Sequence, residues 1–349
     1  VKIFLTSKEG FEKVLAREIA GCGLKSEGHG TGWVMADGDP AFLTQQAGGL
    51  CFACDILQNP QDIHAESVNG FVRALVDLFT AHLGTGRIDG SWPYAFLSFG
   101  DEKLGRYTQS LKERWLEALR KKMSRMARSA QEGIPQGPAF AGGFFVVVTD
   151  FNKARVSFKA MSQGQQRMKM DPQSPSRSYL KLEEAFHIFE CTPKEGDRVI
   201  DLGAAPGGWS LSALKRGASV IAIDNGPLRE PVKSHPKMVH LKADALKYRP
   251  EALDPVDWLL CDVLEAPEII LGLLRQWLEN KWCRHFIVNL KLGRRDPVAL
   301  LAEIRDGTKG LWPYCQALSL RQLYHDREEI TLMGTVRMSG KDQAGQGRP

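Results

Sequence analysis

Asp201-Leu202-Gly203-Ala204-Ala205-Pro206-Gly207-Gly208-Trp209 decides how the second half of this 349-residue chain folds. Val199, Ile200 and Leu202 form a short apolar run with β-branched residues, which predicts a buried strand. Gly203, Gly207 and Gly208 then make a loop, and Trp209 to Lys215 reads as a helix. A strand, a glycine loop and a helix in that order let backbone approach a ligand closely. The place is the carboxyl end of the strand, where open α/β sheets bind their ligands. The spacing excludes two common loops. A dinucleotide fingerprint needs glycine at 205, where alanine stands, and a phosphate loop needs Lys and Ser/Thr after its last glycine, where Trp209 stands.

Outward from this loop, strands are expected at 198–202, 219–223, 238–241, 256–261, 285–290 and 317–321, alternating with helical stretches, and a strand at 330–336 closes the series. Alternation of this kind predicts a parallel, doubly wound sheet with helices on both faces. Ionisable residues fall at the strand ends. Asp201 closes the first strand and Asp224 the second, where an acid can accept ribose hydroxyls. Asp244 follows the third, level with an adenine amino group. Asp262 ends the fourth, Lys291 ends the very apolar Phe286-Ile287-Val288-Asn289-Leu290, and Glu329 precedes the last. A lysine there, desolvated and near a second cation, is expected to have a lowered pKa and to remove a proton near neutral pH. Lys181, on a short amphipathic helix upstream, supplies the second cation.

The glycine run with Trp209 resembles the S-adenosylmethionine loop of FtsJ-type methyltransferases. Lys181, Asp262, Lys291 and Glu329 match, in order, type and local context, the K-D-K-E tetrad of ribose 2′-O-methyltransferases. Pro175-Ser176-Arg177-Ser178, Lys181 to His187, Asp224-Asn225-Gly226-Pro227 and Gln322 to Glu329 look like the bacterial large-subunit rRNA methyltransferase M family. The resemblance covers the C-terminal half specifically, and the N-terminal half in layout and in the Gly10-Phe11-Glu12 helix start. It implies an α/β fold: a Rossmann-like methyltransferase sheet preceded by α+β ferredoxin-like and THUMP domains. It also implies S-adenosylmethionine as donor and, as acceptor, the 2′-hydroxyl of one cytidine in the peptidyl-transferase region of 23S rRNA, taken naked or as an early precursor by a monomer. The implied donor contacts fall on Ser178, Ala205, Pro206, Gly207, Gly208, Asp224, Asp244 and Asp262. In the implied mechanism Lys291 is the proton acceptor, Lys181 holds the hydroxyl or its developing alkoxide, and Asp262 and Glu329 place the lysines.

Composition bounds the rest. With 43% hydrophobic and 25% charged residues this is an ordinary globular chain without a long apolar run, so no membrane span is expected. Val1 to Leu5 turns polar at Thr6, too soon for a secretory leader. Seven scattered cysteines favour a reducing, cytoplasmic setting, and Cys51-x-x-Cys54 without a second pair reads as small buried residues, so no metal is expected. Residues 106–169 carry 13 basic and 4 acidic residues, a net +9 inside a chain of net +5, which points to a nucleic-acid partner. Much of that charge lies on a helix expected at 108–128, with Lys112, Lys121, Arg125 and Arg128 facing solvent. The expected organisation is a ferredoxin-like unit at 1–60, a THUMP-like RNA-binding domain at 61–165, the methyltransferase domain at 166–338 after a loose linker at 162–176, and a flexible tail at 339–349. Two other functions fit parts of the pattern. A base methyltransferase would want an Asn/Asp-Pro-Pro-aromatic run where Asp262-Val263-Leu264 stands, or a catalytic cysteine, which Cys261 supplies only on the opposite strand face. A non-catalytic RNA-binding protein would not require the four tetrad residues.

Overall fold

A computed structural model of the chain describes residues 1–45, 49–84, 86, 88, 90–250 and 254–338, so the tail expected at 339–349 lies outside the described residues. The chain divides into two compact units, residues 1–46 with 52–164 and residues 47–51 with 165–349.

The first unit begins with β1 (Lys2–Thr6), α1 (Glu12–Gly21), β2 (Lys25–Gly30), β3 (Trp33–Asp37), α2 (Ala41–Gln45), β4 (Asp55–Gln58) and β5 (Gln61–His64). It continues with α3 (Val68–Leu83), β6 (Trp92–Ser98), α4 (Glu102–Lys122), α5 (Ser124–Ser129), β7 (Ala130–Glu132), β8 (Ala141–Asp150) and β9 (Lys153–Ser162). One nine-stranded sheet takes in all these strands, in the order β2-β3-β1-β4-β9-β8-β6-β7 with β5 also on β9. It crosses the boundary expected at 60/61 without a break, because β4 pairs antiparallel with β9, Asp55 opposite Ser162. Local patterning marks strands one at a time and does not say which will pair. Strand β8 shows the period of two directly. Phe144, Val146 and Val148 join the cluster around Trp115, while Phe145 and Val147 join Phe4 and Leu57 on the other face.

The basic helix differs from expectation at both ends. Asp101 caps α4, its Oδ1 accepting the Leu104 N–H at 2.8 Å, so the helix starts at Glu102. It stops at Met123, where the backbone leaves the helical region, and α5 carries Arg125 and Arg128 onward. The Trp92 indole N–H donates to the Met126 carbonyl at 2.9 Å, a tertiary bond that nothing in the local sequence announces. Lys121, Arg125 and Arg128 are exposed. Lys112 is not turned to solvent: it is 13% exposed and paired with Glu132 at 2.6 Å.

The second unit holds α6 (Tyr179–Phe189), β10 (Arg198–Leu202), α7 (Gly208–Lys215), β11 (Ser219–Ile223), β12 (Met238–Leu241) and β13 (Val256–Cys261). After these come α8 (Pro267–Glu279), β14 (Cys283–Lys291), α9 (Pro297–Arg305), β15 (Cys315–Arg321) and β16 (Glu329–Val336). Its sheet order is β12-β11-β10-β13-β14-β16-β15. The first five strands are parallel. One strand corrects the expectation of a wholly parallel sheet: β16 runs antiparallel to both β14 and β15. The connection from β15 to β16, residues 322–328, is too short for the crossover a parallel pair needs. Phe186 packs edge-on against Trp258 at 5.6 Å, within a core that reaches Trp209, Ile287 and Met333.

The segment expected as a loose linker is tied down from Gln165 onward. The Gln166 N–H donates to Glu184 at 3.1 Å and the Met168 N–H to His325 Nε2 at 2.9 Å. Gly49 and Cys51 belong to this unit as well: Arg305 donates to the Gly49 carbonyl at 2.5 Å and the Gln322 N–H to that of Cys51 at 2.8 Å. Among the described residues, no helix is long and apolar enough to cross a membrane.

Candidate active site

The glycine loop leaves β10 at Leu202. Gly203 sits at φ +76°, and a Cβ there would come within 2.7 Å of Val263 Cγ2, so the loops after β10 and β13 touch only because residue 203 lacks one. A Cβ on Gly208 would overlap Ser176 Oγ. That close approach lays the 176–179 segment against the start of α7. Trp209 fixes it there by donating its indole N–H to the Ser178 carbonyl at 2.9 Å, and Ser178 Oγ lies 2.7 Å from Ser176 Oγ. Asp224, at the end of β11, accepts the Ala205 N–H on Oδ2 at 2.9 Å and the Gly226 N–H on Oδ1 at 2.7 Å. Each of these oxygens keeps a lone pair for a further donor.

Two acids at this sheet edge have other engagements. Asp244 is exposed and spent on its own turn, accepting the Leu246 N–H at 3.0 Å and pairing with Lys247 at 3.3 Å. The Leu246 N–H and the Lys247 contacts hold its carboxyl below the usual range. Asp201 is buried and accepts the Ser210 hydroxyl at 2.6 Å, so it anchors α7 instead of facing the open edge. Burial pushes it up to about 7.

Lys181, Asp262, Lys291 and Glu329 form one cluster. The β14–β16 ladder puts Lys291 directly opposite Glu329. Lys291 Nζ lies 2.5 Å from Asp262 Oδ1 and 3.3 Å from Glu329 Oε1. Lys181, in the first turn of α6, donates to Glu329 Oε2. All four side chains are only 13–17% exposed. Burial works to lower the Lys291 pKa, but Asp262 and Glu329 outweigh it and the net direction is upward. This corrects the expectation of a depressed lysine: its nearest charges are carboxylates, and Glu329 stands between it and the second cation. Burial also works to raise Glu329, and the two lysines more than offset that, holding it below its usual range.

The FtsJ-like methyltransferase family matches residues 175–276. The ribosomal RNA large subunit methyltransferase M of Halorhodospira halophila is 44% identical over 169 residues, a stretch that spans about half of each chain, 48%. The protein of that name from Xylella fastidiosa strain M23 is 33% identical over 353 residues, covering 93% of this chain and 96% of its own. The chain belongs to the ribosomal RNA large subunit methyltransferase M family. The cofactor of the family is S-adenosylmethionine, and the residues present fit such a nucleoside donor. The loop at 203–208 brings backbone close, and Asp224 offers two carboxylate oxygens at the end of the next strand. Among the described residues, no group of three or more His, Cys, Asp or Glu is placed to hold a metal.

Three buried polar positions tied to this cluster were not singled out as site residues by the sequence reading. Asn289, two residues before Lys291 and on the same strand face, accepts from Lys291 Nζ at 2.6 Å. Its Nδ2 donates to Asp326 Oδ1 and to Thr331 Oγ1, both at 2.9 Å. Glu184, buried in α6 one turn after Lys181, accepts backbone N–H groups from Gln166, Tyr324 and His325. A polar Asn inside an apolar strand, and a Glu on the apolar face of a helix, are visible signals of buried hydrogen bonding. Nothing in Asp326-Arg327-Glu328-Glu329 marks Asp326 as the acid that turns fully inward.

Proposed function

We propose that this protein methylates the ribose 2′-hydroxyl of a cytidine in the peptidyl-transferase region of 23S rRNA, acting as a cytoplasmic monomer on naked or early precursor rRNA. The observation that carries this reading is the single cluster of Lys181, Asp262, Lys291 and Glu329 at the carboxyl edge of the sheet, beside the glycine loop. S-adenosylmethionine, when bound, would supply an electrophilic methyl group and, as that carbon–sulfur bond breaks, a neutral thioether as leaving group. Ser178, Ala205 to Gly208, Asp224 and Asp262 would hold it, with Asp244 at the rim. Lys291 Nζ takes the proton from the 2′-hydroxyl, so the oxygen can form its new bond to carbon. Lys181 offers its ammonium to the charge that builds on that oxygen. Asp262 and Glu329 keep both amines in place. Lys291 rests as an ammonium and must lose a proton before it can accept one, so the rate is expected to rise with pH; a cation brought beside it eases that loss.

A methyl group on a cytosine base is disfavoured by Cys261. Its thiol is buried and pushed up to about 12 by desolvation, which suits packing and not nucleophilic attack. Cys261→Ala is expected to leave methyl transfer intact in a donor-incorporation assay. Nucleoside mass spectrometry of unmodified 23S rRNA, treated with the protein and S-adenosylmethionine, tests the main reading. The expected product is 2′-O-methylcytidine, absent with Lys291→Ala. A methylated base would move the reading to a base methyltransferase, and tight binding without transfer would leave an RNA-binding protein.

In the same proposal the first unit is the RNA-binding part, with ferredoxin-like and THUMP-type portions sharing its sheet. Lys121, Arg125 and Arg128 present exposed charge along α4 and α5. Replacing all three by Gln is expected to weaken rRNA binding and to reduce the slope of log K against log salt by about 2. Donor affinity should stay as it was. Unchanged RNA affinity in a salt titration would make this a merely solvated surface.

A further inference from the structure

We propose that Asn289, oriented by Asp326, is a positioning residue that holds a neutral acceptor, in place of a third carboxylate, against Lys291 and so sets the pH at which that amine gives up its proton. The proposal rests on the reading of Lys291 as proton acceptor. The two lysines share Glu329 and are similarly buried. An ammonium has three N–H donors. Those of Lys291 meet three acceptors: Asp262 Oδ1 at 2.5 Å, Asn289 Oδ1 at 2.6 Å and Glu329 Oε1 at 3.3 Å. Two are anionic and the third is a neutral amide. Lys181 meets Glu329 and, at 3.9 Å, Asp326 Oδ1, both carboxylates.

The amide is locked in this orientation. Asp326 Oδ2 accepts from the Leu323 N–H at 3.0 Å and from the Thr331 hydroxyl at 3.1 Å. The Thr331 proton is therefore committed, and Thr331 Oγ1 and Asp326 Oδ1 both present lone pairs to residue 289. Only the NH₂ end of the amide can face them, which turns the carbonyl to Lys291. Asn289, Asp326 and Thr331 are each fully buried, so no solvent competes for these bonds. The carboxylate of Asp326 is thus kept one residue away from Lys291 and left beside Lys181. A third carboxylate on Lys291 would make its proton harder to remove. The charged groups around Lys291 are Asp262 from β13, Glu329 from β16, Asp326 through Asn289, and Lys181 across Glu329.

The test exchanges the two partners. In the double variant Asn289→Asp with Asp326→Asn, the hydrogen bond between them re-forms in reverse and the carboxylate moves onto Lys291. The acid limb of the kcat–pH profile is expected to move up by about one unit, a loss of about tenfold at a pH on that limb, regained at higher pH. KM for donor and for rRNA should be unchanged. Asn289→Val, a second variant that removes the neutral acceptor, should move the limb the other way, because the ammonium loses a partner. A purely structural network would leave the limb in place in both variants, or lower the rate equally at every pH, and either outcome overturns the proposal. Lys291→Ala separates the two claims. An active Lys291→Ala enzyme removes the proton-acceptor reading itself, whereas an inactive one with unmoved limbs removes only the role of Asn289.

Discussion

Lys291→Ala is expected to lower the rate of methyl transfer by about a thousandfold, in the range of a lost general base. The protein should still fold and bind S-adenosylmethionine. Lys291 stands at the end of β14, and its side chain is consumed by Asp262, Asn289 and Glu329, not by the apolar core. Removing it leaves Asp262 and Glu329 with less positive charge, yet both keep some access to water, at 16% exposure each, so the cost to stability is small beside the cost to rate. Lys291→Arg should fare little better: its guanidinium keeps the charge and the contacts but does not deprotonate at any working pH. Single-turnover kinetics with rRNA, alongside donor binding by calorimetry, separates the two effects. A Lys291→Arg enzyme with wild-type rate would show that the site needs a cation there and not a base.

The largest expected loss of stability is at Glu184→Ala. Its buried carboxyl gathers three backbone N–H groups, those of Gln166 at 3.1 Å, Tyr324 at 2.7 Å and His325 at 3.1 Å. Alanine leaves all three without that partner, at about 1–3 kcal/mol for each that stays dry. A loss of about 3 kcal/mol or more is expected in chemical denaturation followed by signals from the second unit. Activity should fall with it, because Glu184 ties α6, which carries Lys181, to the 322–328 segment that carries Asp326. The pH dependence has a definite sign. Burial, opposed by the N–H donors, raises the Glu184 carboxyl from 4.5 to about 8. Its contribution to stability is fully present below the unfolded value and is lost as pH rises through about 8. Glu184→Gln, which cannot ionise, should flatten that part of the stability–pH curve. An unchanged slope between these limits would assign it to other buried acids, of which Asp201 has the same sign.

How much of this was legible in the chain depends on how local the cause is. Strands at 198–202, 219–223, 238–241 and 256–261 stand where apolar periodicity puts them, because alternation and turn chemistry act within a few residues. Gly203 and Gly208 were read as room for a ligand's approach to the backbone, and the close neighbours a Cβ there would meet are Val263 and Ser176, which no local pattern names. Neither end of the basic helix was read: Asp101 caps it so that it starts at Glu102 and not at 108, and the break at Met123 answers to Trp92 from a distant strand. The reversed direction of β16 follows from a short loop and a choice of neighbour, and only the loop is written locally.

The sequence by itself determined the strand–loop–helix frame, the residue types at the strand ends and the concentration of basic charge at 106–169. Tertiary structure alone decided which of those residues meet, and in what state of charge. Lys291 looks like a depressed lysine when only its apolar strand is considered. It becomes a raised one when Asp262 and Glu329 fold against it. The single sheet of the first unit and the Asn289–Asp326–Thr331 network arise in the same way. The reason is range. Propensity and periodicity are properties of neighbouring residues, while strand pairing, ionisation and buried hydrogen bonding depend on groups that chain folding brings from far away.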